Sequence, residues 1–135
     1  MIFDTLKYGT FTADDFINAH TTNDFSKFTQ LPIDLRKKFI SDVIDKHPNQ
    51  ESNNFKQAAF DFIDGEITGD QFRESWWKCW PPAVAATAAA AVVWRAVAVA
   101  VAVAAGAAGS LQVVAEYYRP QLEKHASHLN KLIGE

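Results

Sequence analysis

Two histidines three residues apart, one cysteine among tryptophans and a series of acidic side chains are the groups in this 135-residue chain with chemistry to offer. His125 and His128 would point the same way from a helix, as metal ligands do. A metal centre takes three or four ligands, and no acidic or cysteine pair lies near enough to complete one. Two solvated helix-surface histidines are expected, and no metal. Cys79 sits in Trp76-Trp77-Lys78-Cys79-Trp80, where a buried, inert thiol is the expectation rather than a nucleophile. No Gly-rich phosphate loop, nucleophile elbow or His-Glu-x-x-His motif occurs. The chain reads as a non-enzyme that needs no cofactor.

Residues 61–72 resemble the second half of a calcium-binding EF-hand loop, with Gly65, Ile67 and Phe72 in the expected places. The first and third ligand positions would fall on Phe60 and Phe62, and the twelfth on Gln71 instead of a bidentate Glu. With those oxygens missing, calcium binding is not expected there. The stretch from Asp4 to Asp15 has acids at its ends but Leu6 and Tyr8 within, and is no better.

Binding of another protein has more support. Asp14, Asp15, Asp24, Asp61, Asp64, Glu66 and Asp70 would form a negative surface suited to a basic partner such as a nuclease domain. Trp76 and Trp77 are core residues or an interface anchor, since tryptophan is enriched in binding hot spots. The candidate partner-binding residues are Asp14, Asp15, Asp61, Asp64, Glu66, Asp70, Trp76 and Trp77. A net charge of −3 lacks the basic excess of a nucleic-acid binder. One cysteine excludes an intrachain disulfide framework and fits a reducing, cytoplasmic compartment. The start, Met-Ile-Phe-Asp, has no basic or apolar leader pattern, so no signal peptide is expected.

The elements that would carry these residues divide by composition. Residues 1–74 hold 13 acidic and 8 basic side chains, whereas residues 75–135 hold 3 and 5. Each half alone would be marginal, so one domain over 1–135 with a shared core is expected: an acidic multi-helix part (1–80) and an Ala/Val-rich part ending in an amphipathic helix (81–135). In the first part, Thr12 caps a helix over 13–20, with Asp15 at its third position and Phe11 able to staple onto Phe16. A short helix over 24–30 follows. Leu31-Pro32 opens the next, with Pro32 near its first position and Leu35, Phe39, Ile40, Val43 and Ile44 on one stripe. A fourth helix spans 52–64 and stops at Gly65. The pattern Gly-x-(Phe/Ile)-Thr-(Ala/Gly)-Asp-(Asp/Gln)-Phe occurs at 9–16 and again at 65–72. It is read as two independently optimised helix starts rather than a duplication.

Residues 83–109 contain fifteen Ala and seven Val. Three structures suit such a tract. As a buried helix it carries Val92, Val99 and Val103 beside Val93, Val97 and Val101, with Ala88, Ala91, Arg95, Ala98 and Ala102 on a face of small residues. As a membrane span over 83–105 it is long enough, but a central arginine costs about 2.5–3.5 kcal/mol against about 0.3–0.6 from each valine. As a strand it alternates strictly over 97–103 but has no evident partner. The buried helix is preferred and the membrane anchor with an acidic head is the runner-up. Beyond the glycines, Leu111, Val114, Tyr117 and Tyr118 continue an apolar face until Pro120 interrupts it. Leu122, Leu129, Leu132 and Ile133 mark the last helix, expected to form a hairpin with the Ala/Val helix turned at 106–109. The Ala face also makes a homodimer an expectation.

Residues 60–72, in which an apolar helix end meets a Gly-Glu-Ile-Thr helix start, resemble a segment of small helical bacterial immunity proteins. The Ala-rich second half is similar to helical tracts of phage accessory inhibitors. The resemblance implies an all-α, non-catalytic protein that neutralises a toxin, nuclease or other effector. The fold expected is accordingly all-α, with short acidic helices packed on a central Ala/Val-rich helical hairpin.

Overall fold

The computed structural model describes residues 8–46, 50–78, 88–107 and 118–134. Among these the chain forms seven helices and no strand: α1 (Ala13–Thr22), α2 (Ser26–Thr29), α3 (Ile33–Ile44), α4 (Gln50–Ile63), α5 (Gly69–Lys78), α6 (Ala88–Ala105) and α7 (Arg119–Gly134). The chain is all-α.

The two repeated helix starts form by the same grammar. At α5 the box is reciprocal: Thr68 N–H donates to Gln71 Oε1 at 2.8 Å and Gln71 N–H to Thr68 Oγ1 at 3.1 Å. At α1 the Thr12 N–H donates to the Asp15 carboxylate at 2.8 Å, which satisfies one amide at the helix start. Phe11 and Phe16 both close on Phe28, at 4.9 and 4.8 Å between ring centroids. Pro32 is the residue immediately before α3, next to its first helical position. Pro120 is the second residue of α7, in a first turn where proline is tolerated because no intrahelical N–H is needed.

α6 is the hub. Every residue from 96 to 105 is at most 3% exposed, and the helix packs against α1, α2, α3, α4 and α7. Alanine makes this possible, because small side chains let several helices approach one axis while keeping the highest helix propensity. The surrounding helices supply the bulk. Phe11, Phe16, Phe28, Phe39, Phe55 and Phe72 are fully buried, and all belong with the α6 residues to one core. Large rings on small centres fill space at native density. The alternation over 97–103 is therefore helical: a strand would leave its ladder unpaired, whereas the helix satisfies its own backbone.

Residues 83–87, the start of the anchor considered in the runner-up reading, lie outside the described residues. Among the described residues no helix is long and apolar enough to cross a membrane. The Ala98 and Ala102 face is covered by the chain's own helices. Of the turn expected at 106–109, residues 108 and 109 lie outside the described residues, as do Leu111, Val114 and Tyr117. What is visible is that α7 is one of five helices on α6.

The end of α6 is fully accounted for. Ala107 N–H bonds the Ala102 carbonyl and Gly106 N–H the Val103 carbonyl, each at 3.0 Å, the Schellman arrangement that needs a left-handed residue at Gly106, where φ is +86°. The two remaining carbonyls are taken from α3. Arg36 Nε donates to Ala104 O and Nη2 to Ala105 O, both at 2.8 Å. At the other side of the core, the side-chain amide of Asn130 on α7 clamps the main chain before α1. It accepts from Phe11 N–H at 2.7 Å and donates to Phe11 O at 2.8 Å.

Candidate functional site

The six candidate carboxylates fall into two groups held by different elements. Asp14 and Asp15 stand in the first turn of α1, where negative charge suits the helix dipole. Asp15 is engaged within the fold. Besides Thr12, it binds Lys27 Nζ at 2.8 Å, and that ammonium also donates to Thr10 O and lies over the Phe11 ring. Asp14 is 65% exposed on its side chain and its Oδ1 lies 2.8 Å from Arg119 Nη1, at the start of α7.

The second group brackets the turn between α4 and α5. Asp61 accepts from Gln57 Nε2 one turn earlier on α4, at 2.8 Å. Asp64 is gripped through both oxygens by Lys37 of α3, at 2.8 and 2.9 Å, so it ties the turn to the neighbouring helix. Glu66 is exposed, with its backbone N–H on the Asp61 carbonyl. Asp70 is 92% exposed and, among the described residues, meets the same-helix Arg73 at 3.5 Å. The turn works because Gly65 adopts φ +78° with open space around it. Trp76 and Trp77 belong to the last turn of α5; their side chains, with Cys79 and Trp80, lie outside the described residues.

An open groove of about 380 Å³ runs between the start of α1 and α7, lined by residues that include Thr12, Asp14, Arg119 and Glu123. It meets the first acidic group at Asp14.

His128 is not a solvated surface residue. Its Nε2 lies 2.8 Å from Asp42 Oδ2 of α3, with both side chains about two-thirds or more covered, and its ring stacks on Phe39 at 6.3 Å. The pair links α3 to α7 across the edge of the core. No group of three His, Cys, Asp or Glu able to hold a metal ion occurs among the described residues.

Among the described residues two groups are shifted from their ordinary values. The Ser26 hydroxyl, and then its N–H, hold the Asp24 carboxyl below the usual range. Burial pushes the Arg36 guanidinium down. Arg36, Asn130, Arg119 and the His128–Asp42 pair were not singled out from sequence. Arg36 carried a signal nonetheless: it falls on the apolar stripe, three, four and seven residues before Phe39, Ile40 and Val43.

No family model matches the chain, and no match to it is found among curated proteins or solved structures.

Proposed function

We propose that the chain is a non-catalytic protein-binding module of immunity or inhibitor type, which engages a basic partner through its acidic surface. The observation that carries this reading is the α4–α5 turn, where Asp61, Asp64, Glu66 and Asp70 lie within ten residues, with Glu66 and Asp70 projecting into solvent. Clustered charge of one sign speeds encounter with an oppositely charged protein and selects against acidic ones. Asp14 adds a further exposed carboxylate at the start of α1, whereas Asp15 and Asp64 serve mainly to join helices. The resemblance of residues 60–72 to immunity proteins points to the same class of activity.

The test compares the wild-type chain with Asp61→Asn/Glu66→Gln/Asp70→Asn, which leaves the Asp64–Lys37 tie intact. A partner captured by the wild type is then titrated against both proteins at low and moderate salt. Loss of affinity in the folded variant, with a flatter salt dependence, is the expected result. Equal affinity and an unchanged salt dependence would remove the acidic turn from the interface.

A further inference from the structure

We draw no further inference here: the strongest candidate, the His128–Asp42 side-chain pair that joins α3 to α7 at the edge of the core, belongs to the helix packing already described, with no group of three side chains able to hold a metal ion among the described residues.

Discussion

Replacing Arg36 with methionine should destabilise the protein by about 3 kcal/mol, and the structure supplies each step of that figure. The last four carbonyls of α6 divide evenly: Ala102 and Val103 are satisfied by the Schellman turn, and Ala104 and Ala105 by Arg36. Arg36 is only 8% exposed, so water does not readily take its place. Hydrogen bonds from a charged donor contribute about 1.5–3 kcal/mol each, and a buried carbonyl left without a partner costs about 1–3 kcal/mol. The positive head at a helix C-terminus adds a smaller favourable interaction with the dipole. Against these stands the cost of burying the guanidinium, whose direction is visible in its lowered pKa. Removing one side of a buried charged contact usually costs about 3–5 kcal/mol. The lower end applies because methionine keeps the stem and the partners are neutral.

Urea unfolding followed by far-ultraviolet circular dichroism measures this directly. A chain of this size loses about 4 °C of Tm per kcal/mol, so a fall of about 12 °C is expected. Arg36→Lys keeps the charge but has no fork to span two carbonyls, and should recover about half of the loss. Lys38→Met, at a side chain 60% exposed on the same helix, is the control and should stay within about 0.5 kcal/mol. A loss below about 1 kcal/mol in Arg36→Met would refute the argument that the end of α6 depends on α3.

Three further outcomes are expected. Gly106→Ala combines a φ of +86° with a Cβ that would lie 2.8 Å from Thr29 Cγ2, and should cost about 2 kcal/mol. Adding Thr29→Ser removes that methyl and should recover part of the loss, the backbone cost remaining; denaturant unfolding reads both, and an unaltered midpoint in Gly106→Ala would contradict the account. Asn130→Ala breaks both bonds to the Phe11 main chain and should cost about 1–3 kcal/mol, with faster hydrogen exchange at the Phe11 amide as its local signature; retained protection there would show the clamp to be dispensable. Asp24 has a folded pKa below its unfolded one, so its contribution is complete above the ordinary carboxylate range and is lost as pH falls through the lowered value. The stability difference between wild type and Asp24→Asn should therefore be constant from pH 5 to 7 and shrink below about pH 4; a difference that grows on acidification would reverse the sign of that reasoning.

Helix positions were legible wherever local chemistry set them. Thr12, Thr68 and Gly65 fix starts and a stop within a few residues, because capping and positive φ are properties of the local chain. The apolar stripe of α3 was legible for the same reason. Arg36 was not, since its role depends on carbonyls 68 and 69 residues away. His128 looked solvated because its partner, Asp42, is 86 residues distant. The acidic residues were the least legible of all. Composition counts Asp15 and Asp70 alike, yet one is bound by Lys27 and the Thr12 amide while the other stands almost wholly in water.

That division bears on how the protein recognises anything. Interfaces usually draw most of their energy from a few aromatic anchors, but among the described residues the phenylalanines Phe11, Phe16, Phe28, Phe39, Phe55 and Phe72 are all fully buried. An α6 made of alanine and valine cannot fill a core by itself, so α1 to α5 turn their phenylalanines inward onto it and onto one another, as in the Phe55–Phe72 and Phe55–Trp94 contacts at 5.6 and 6.1 Å. Among the described residues the exposed large apolar side chains are Ile33 and Val93, which are isolated and too few for an apolar interface. What the outer helix faces offer is charge. A complex formed through such a surface is governed by association rate and ionic strength, since exposed charges are screened over about 8–10 Å at physiological salt. The binding expected of this domain is accordingly fast and salt-sensitive. An affinity that held unchanged between 0.05 and 0.5 M salt would mean that the anchor lies elsewhere in the chain.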